Sequence, residues 1–247
     1  MKNLGFGMMR LPLLDREDPK SVDMEQVCQM VDTFLSRGFT YFDTAYMYHG
    51  FQSENVVREA LVKRHPRDSF LLASKLPSMF LKEEGDQERI FAEQLEKCGV
   101  DYFDFYLIHN VSDMTYPVYT NPELRIPEFL HEKHKEGRFR HFGFSTHASN
   151  PTLEKFLDTY GEMFEFCQMQ LNWLDWTLQD AKGKVEILRK RNLPIWVMEP
   201  LRGGKLVTRL PEEAKRIFAE YKIKHTPAEW ALRWLWNQSE VTVVLSG

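Results

Sequence analysis

Short apolar segments recur at eight places along the chain, and this recurrence constrains the fold more than any other feature. The segments cover residues 4–8, 39–45, 70–76, 103–109, 140–145, 166–171, 195–201 and 241–245. Several are nearly continuous in apolar residues rather than alternating, which is typical of parallel strands that are covered on both faces. We therefore predict eight parallel β-strands.

Helical patterns fill most of the intervals between these strands. In the first interval, apolar residues at helical spacing end just before Gly38, a residue type that commonly stops helices. Three later intervals begin with a residue type that caps helices, and we predict caps at Ser53, at Asn150 and at Thr226. The last two precede a proline, which is favoured in the first helical turn.

Eight strands alternating with helices in 247 residues fit the α/β class, as a (β/α)8 TIM barrel. An open doubly wound sheet would usually have fewer strands. A chain of this length can bury one large core, so we expect residues 1–247 to form a single barrel domain.

Charge and cysteine content limit the partners of the chain. The 32 basic and 36 acidic side chains leave a formal charge of -4, which provides no basic surface for nucleic acid or an anionic membrane. Cys28, Cys98 and Cys167 are too far apart for a thiolate metal site and too few for a disulfide framework. His131 and His134 lack the spacing of a metal-binding helix. We therefore expect a cytoplasmic protein with a small-molecule partner and no metal.

Titratable side chains stand at the predicted ends of three adjacent strands. The second strand ends at Asp43 and leads to Tyr48, the third ends at Lys75, and the fourth ends at His109. In a barrel these strand ends meet at one mouth. We expect Lys75 to lower the pKa of Tyr48, Asp43 to keep Lys75 charged, and His109 to orient a substrate oxygen. This set suits proton transfer to a carbonyl oxygen.

None of these side chains can supply a hydride, so the reducing equivalents must come from a cofactor. The chain has no G-x-G-x-x-G motif, because residues 5–7 lack the third glycine. A nicotinamide cofactor would therefore bind without a Rossmann motif.

Two further segments are candidates for shaping a substrate pocket. Residues 110–127 follow the fourth strand, and their length predicts a loop over the site. Trp173 and Trp176 follow the sixth strand, where they would either line a pocket or pack on helices.

The same residues resemble the aldo-keto reductase superfamily. Residues 4–10 (LGFGMMR) resemble its opening strand, and residues 43–48 (DTAYMY) match its D-T-A-x-x-Y signature. Residues 73–75 resemble its lysine strand and residues 104–109 its histidine strand. The resemblance implies an NADP-dependent enzyme that reduces an aldehyde or ketone to an alcohol. It also implies a catalytic tetrad of Asp43, Tyr48, Lys75 and His109, with Tyr48 as the general acid.

The resemblance also implies a set of cofactor-binding positions for NADPH, with NADH as the other candidate. They are Met8, Arg10, Ser145, Thr146, Gln168, Met198, Pro200, Leu201, Gly203 and Gly204. The chain departs from the family at two of them. Thr146 stands where the family has asparagine, and Met198 stands where many members have an aromatic ring.

Residues 198–200 (MEP) and the short N-terminus resemble bacterial members that often carry a C-terminal iron–sulfur region. We expect the eighth helix, and any such cluster, to lie in an extension beyond Gly247. Two other functions stay open. One is a nucleotide-binding regulatory barrel without turnover, favoured by Met198 and Thr146. The other is a metal-dependent hydrolase that uses Asp43 and His109.

Overall fold

The computed structural model describes residues 3–246 as a closed barrel of eight strands. The strands are β1 Leu4–Gly7, β2 Tyr41–Asp43, β3 Leu71–Pro77, β4 Phe103–Val111, β5 Phe139–Thr146, β6 Phe166–Gln170, β7 Ile195–Met198 and β8 Val241–Ser246. Each strand pairs in parallel with the next, and β1 pairs in parallel with β8 to close the barrel. The predicted (β/α)8 fold is confirmed.

Helical segments occupy every interval between successive strands. They are α1 Met24–Ser36, α2 Ser53–Val57, α3 Asp86–Cys98, α4 Tyr116–Tyr119, α5 Ile126–Lys135, α6 Asn150–Tyr160, α7 Asp175–Leu178, α8 Ala181–Lys190, α9 Lys205–Thr208, α10 Glu212–Glu220 and α11 Pro227–Trp236. A π-helical turn, Arg58–Val62, continues α2, and 3-10 turns cover Arg67–Ser69, Ser78–Phe80, Pro122–Leu124 and Gly161–Met163. Gly247 and the extension expected beyond it lie outside the described residues. No helix between residues 3 and 246 is both long enough and apolar enough to cross a membrane.

Side chains alternate between the inside of the barrel and its helical coat. The interior cluster consists of Tyr41, Ala73, Phe105, Leu107, Phe166, Trp196, Val243 and Leu245. Successive strand residues point to opposite faces, so residues two positions further along each strand also face the barrel axis. This alternation directs Asp43, Lys75 and His109 to the interior at the C-terminal ends of β2, β3 and β4.

Two of the predicted helix ends are confirmed. Gly38 follows α1 with a φ of 77°, a backbone conformation that favours glycine. Thr226 caps α11, where its hydroxyl accepts from the Glu229 amide while the Glu229 side chain accepts from the Thr226 amide.

The two other predicted caps are wrong, because their side chains make tertiary contacts instead. Ser53 lies inside the first turn of α2, with its hydroxyl 2.8 Å from Thr44 Oγ1. Asn150 is likewise inside α6, whose N-cap residue is Ser149. The Asn150 amide donates to Asp180.

The segment at residues 110–127 is not a free loop. Asn110 and Val111 extend β4, and the rest is largely helical. Tyr119 is buried, and its hydroxyl donates to the His109 carbonyl at 2.5 Å. The predicted loop over the site is therefore replaced by a segment that packs against the barrel wall and holds the end of β4.

Gly143 of β5 tests how tightly the barrel interior is packed. A Cβ at this position would lie 2.4 Å from the ring of Phe166. We expect Gly143→Ala to lower the free energy of unfolding by about 1–3 kcal/mol, since the ring cannot yield without disturbing its neighbours. Urea unfolding measures the change.

Gly161→Ala is the matched control, because a Cβ there would meet its nearest neighbour at 3.6 Å. Its φ of -56° also suits alanine. Equal stabilities of the two variants would contradict the close packing at Gly143.

Candidate active site

The C-terminal ends of the strands surround a cleft of about 1000 Å³, here called the central cleft. Its lining residues are Gly7, Met9, Arg10, Asp43, Met47, Tyr48, His49, Lys75, His109, Asn110, Ser145, His147, Gln168, Gln170, Met198, Glu199, Arg202, Gly203, Lys205 and Leu245. The structure thus brings all four predicted catalytic residues to one cavity. Trp173 and Trp176 are not among the lining residues and instead contact Phe218 and Trp234 of the helical coat.

A buried ion pair forms the floor of the central cleft. The completely buried Lys75 ammonium donates to Asp43 Oδ1 at 2.5 Å and to the Thr44 carbonyl at 2.7 Å. Burial disfavours the ammonium, but the adjacent Asp43 carboxylate and Tyr48 outweigh it and raise the pKa of Lys75. Lys75 is therefore a fixed positive charge.

Tyr48 lies directly over this charge, with Lys75 Nζ 5.1 Å from the centre of its ring. Burial raises the pKa of Tyr48, and Lys75 opposes that rise without cancelling it. Lys75 lowers the pKa of Tyr48 as expected, but burial raises it by more, so the net shift is upward. The phenol stays protonated at neutral pH, as a general acid must be.

His109 stands beside Tyr48, with ring centres 5.8 Å apart and ring planes at 89°. Burial, with smaller contributions from Lys75 and His147, lowers the pKa of His109 to about 3. The imidazole is therefore neutral across the physiological range. Its Nδ1 is buried without a hydrogen-bond partner in the described chain. A neutral imidazole carries one N–H, so His109 can donate a hydrogen bond to a bound oxygen without carrying charge.

A second cleft of about 870 Å³ adjoins the first on the outside of β1, and we call it the outer cleft. It is bounded by α1, the end of β1 and the loop after β7, and four residues line both clefts: Gly7, Arg10, Glu199 and Gly203. The Arg10 and Glu199 side chains form an ion pair at this boundary. The two clefts together offer an extended site rather than a single pocket.

Eight of the ten predicted cofactor positions lie at these clefts. Ser145, Gln168 and Met198 line the central cleft, Pro200, Leu201 and Gly204 line the outer cleft, and Arg10 and Gly203 line both. The other two do not reach them. The Met8 side chain is completely buried in the core, and Thr146 is buried against the Val111 carbonyl. Each is one position away from an inward-facing residue, Gly7 or Ser145, and therefore points to the opposite face of its strand.

Five titratable residues that line the central cleft were not among the predicted site residues. They are His49, His147, Glu199, Arg202 and Lys205. His49 is fixed by two backbone contacts, since its Nε2 accepts from the Leu11 amide and its Nδ1 lies 3.0 Å from the Pro19 carbonyl. His147, Glu199 and Arg202 closely follow β5 or β7, so their place after a strand end was the signal that could have identified them.

The clefts carry polar groups that could meet a bound nucleotide. Gln168 Oε1, His109 Nδ1 and Asp43 Oδ2 are buried without a hydrogen-bond partner in the described chain. Consecutive positive φ angles of 62° at Gly203 and 84° at Gly204 form a loop of the kind that can turn backbone amides toward an anion. By contrast, no group of three or more His, Cys, Asp or Glu side chains within residues 3–246 is arranged to hold a metal ion.

Comparison with known proteins agrees with the barrel fold. Residues 3–247 match the aldo/keto reductase family, and the chain belongs to that family. The chain is 27% identical to "Probable aldo-keto reductase 1" of Glycine max, over all of this chain and 77% of that protein. It is 24% identical to the NADH-specific methylglyoxal reductase of Escherichia coli K12, over 90% of this chain and 78% of the relative.

Solved structures share the fold. The aldo-keto reductase from Klebsiella pneumoniae in complex with NADPH superposes with a TM-score of 0.74 at 20% identity, covering all of this chain and 81% of the other. The holo form of aldo-keto reductase AKR11C1 from Bacillus halodurans gives 0.77 at 22% identity, with coverage of 99% and 82%.

A buried carboxyl group lies behind the strand that carries Lys75. Glu54 of α2 is completely buried, and burial raises its pKa to about 7. Hydrogen bonds from Ser74 and Gln94 oppose the rise only in part. Its Oε2 has no hydrogen-bond partner in the described chain. The folded state therefore binds a proton at Glu54 more tightly than the unfolded chain does.

Tighter proton binding in the folded state makes the stability of the protein depend on pH. We expect Glu54→Gln to remove this dependence. Because the folded pKa is about 7 against an ordinary 4.5, wild-type stability falls as the pH rises from about 4.5 to 7. Gln cannot ionise, so the variant should gain up to about 3 kcal/mol relative to wild type over that interval. Urea unfolding at pH 5 and pH 7.5 measures it.

Glu59→Gln serves as the control, because Glu59 is exposed and paired with Lys63. If wild type and Glu54→Gln differ in free energy of unfolding by the same amount at both pH values, Glu54 titrates normally and the prediction fails.

Proposed function

We propose that this chain reduces an aldehyde or ketone to an alcohol with NADPH, with Tyr48 as the general acid. The observation that carries the proposal is the buried Lys75–Asp43 ion pair beneath Tyr48, with neutral His109 beside it on the same cleft. Membership of the aldo/keto reductase family supports it, and so does the NAD(P)H-dependent D-xylose reductase among the relatives, which is 25% identical.

Each side chain has a defined part in this proposal. When bound, a reduced nicotinamide supplies the hydride. His109 donates a hydrogen bond that holds the carbonyl oxygen next to the Tyr48 hydroxyl. Tyr48 transfers its proton to that oxygen, and the Lys75 ammonium stabilises the phenolate that remains. Asp43 keeps Lys75 charged and correctly directed.

The cofactor would lie along both clefts. Ser145 and Gln168 offer polar groups near the reacting end, while Arg10 and the Gly203–Gly204 backbone suit the phosphates. We propose NADPH over NADH because cationic side chains border the clefts, including Arg202 and Lys205. Parallel titrations with the two cofactors, followed by nicotinamide fluorescence, test this preference.

We further propose that residues 1–247 act as one catalytic domain in the cytoplasm. Cys28, Cys98 and Cys167 are free thiols in the structure, which suits a reducing compartment. The metal-dependent hydrolase considered above has no ligand set within residues 3–246 to support it.

Replacing Tyr48 by Phe tests the assignment of the acid. We expect kcat to fall by about 10²–10⁴-fold, because the proton donor is lost, with cofactor affinity nearly unchanged. The assay follows NADPH oxidation with 4-nitrobenzaldehyde and a panel of aliphatic aldehydes and ketones.

Tyr46→Phe is the matched control, since the Tyr46 hydroxyl donates to Glu93 and not toward Lys75. Undiminished turnover in Tyr48→Phe would refute the mechanism. Tight NADPH binding by the wild-type chain without oxidation across the panel would instead support a regulatory barrel.

The Arg10–Glu199 pair predicts that cofactor binding can be strengthened by mutation. Glu199 places a carboxylate beside the proposed phosphate-binding loop and engages Arg10, so Glu199→Gln should tighten NADPH binding. Exposed ion pairs contribute up to about 1 kcal/mol, which sets the expected gain at up to about fivefold in Kd.

The gain should shrink as salt is added, because screening weakens exposed charges. Glu212→Gln on α10, where Glu212 is paired with Lys215, is the control. A weaker Kd in Glu199→Gln would mean that the carboxylate assists binding rather than opposing it.

A further inference from the structure

The first turn of α2 is buried behind the strands that carry the proposed catalytic residues. Ser53 and Glu54 are completely buried there. Glu54 Oε1 accepts hydrogen bonds from Ser74 Oγ at 2.7 Å and from Gln94 Nε2 at 2.7 Å. A buried carboxyl group is costly unless it is hydrogen-bonded, and Glu54 is shielded from water. Ser74 and Gln94 therefore supply the hydrogen bonds that it needs.

Gln94 of α3 links this carboxyl group to the backbone of Lys75. Its Nε2 lies 3.0 Å from the Lys75 carbonyl oxygen and 2.9 Å from Ser74 Oγ. Its Oε1 accepts from the Tyr106 hydroxyl at 2.6 Å, which fixes the orientation of the amide. Glu54, Gln94 and Tyr106 therefore form a continuous buried network that ends on the main chain of Lys75.

The neighbouring residue Ser53 reaches the other side of the same site. Its hydroxyl lies 2.8 Å from Thr44 Oγ1 and donates to the Met8 carbonyl at 3.2 Å. Thr44 supplies the carbonyl that accepts from Lys75 Nζ. The first turn of α2 is thus linked to Lys75 in two ways. Glu54 bonds to Gln94, which in turn bonds to the Lys75 carbonyl. Ser53 contacts Thr44, whose carbonyl accepts from the Lys75 ammonium.

Among the residues that the structure describes, no cation is in hydrogen-bond contact with Glu54. The charged or titratable groups that act on it are Lys97, Glu93 and Cys98 of α3, Tyr106 of β4, and Tyr46 before α2. Among these, Lys97 pairs with Glu93 rather than with Glu54. The hydrogen bonds from Ser74 and Gln94 therefore hold the Glu54 carboxyl group. Ser74 precedes Lys75 in the chain, and Gln94 bonds to the Lys75 carbonyl.

We propose that Glu54 is a positioning residue, which acts through Ser74 and Gln94 to fix the Lys75 main chain and so the direction of its ammonium group toward Tyr48. The expected effect on kcat rests on the proposed reductase function. The link from Glu54 to the Tyr48 phenol is independent of turnover.

The test compares Glu54→Leu, which removes the acceptor, with Glu54→Gln, which keeps an oxygen for both donors. With NADPH and 4-nitrobenzaldehyde, we expect Glu54→Leu to lower kcat about tenfold, with KM and the NADPH Kd within about twofold of wild type. Glu54→Gln should restore most of the lost kcat. Glu59→Leu, at an exposed position in the next turn, controls for a general effect of losing an acid.

A second readout follows the Tyr48 phenol itself. Tyrosinate absorbance is recorded against pH for each protein and for the same protein carrying Tyr48→Phe. The difference between the two curves gives the titration of Tyr48 alone. A displaced ammonium should raise the pKa of Tyr48 in Glu54→Leu but not in Glu54→Gln. If Glu54→Leu does not fold, Tyr106→Phe releases only the far end of the Gln94 amide and should lower kcat two- to threefold by the same route.

Unchanged kcat and an unchanged Tyr48 titration in the Leu variant would overturn the proposal, as would a loss that Gln does not relieve. Loss of all turnover by the wild-type chain would count against the proposed reductase instead, and the Tyr48 titration would still decide the role of Glu54.

Discussion

The buried Lys75–Asp43 ion pair is the interaction on which the rest of the site depends. Two charges removed from water are tolerable only when they meet in good geometry with their remaining hydrogen bonds satisfied, and removing one partner leaves an uncompensated charge. The barrel supplies that geometry through its register, because Asp43 pairs with Ala73 on the neighbouring strand and Lys75 is two residues further along. Both side chains consequently face the interior. Tyr48 then needs only the short connection after β2 to reach the ammonium.

Because side chains alternate along β3, its two faces contact different surroundings. Lys75 faces the cleft, while Ser74, one residue earlier, faces outward to Glu54 and Gln94. A polar network on the outer face can therefore act on the charge within, because it holds both the Ser74 side chain and the Lys75 carbonyl. Inside the core each bond of such a network counts for more than it would in water, because a lost partner leaves a buried polar group unpaired. The position of α2 is thereby tied to the chemistry of the cleft.

Much of the fold and the grouping of the tetrad could be predicted from the sequence, because both depend on local patterns. Strand length, apolar continuity and strand-end polarity are properties of a few consecutive residues. Met8, just after β1, and Thr146, at the end of β5, follow the inward-facing Gly7 and Ser145, and the alternation of side chains accounts for their burial away from the clefts. The packing of residues 110–127 could not be predicted, because it depends on where Tyr119 finds the His109 carbonyl. The Arg10–Glu199 pair joins residues 189 positions apart, and no local pattern signals it.

Two of the ion pairs at the site, Lys75–Asp43 and Arg10–Glu199, differ in burial, and that difference separates their roles. The Lys75–Asp43 pair is sealed from solvent, so its partners cannot be exchanged without a large cost. The Arg10–Glu199 pair is open, with side-chain exposures of 42% and 21%, and water screens the attraction. An anion arriving between the clefts can therefore take Arg10 from Glu199 at small cost, while the charge beneath Tyr48 stays in place. Under the proposed function, solvent access would allow the boundary of the two clefts to rearrange around a cofactor phosphate without disturbing Tyr48.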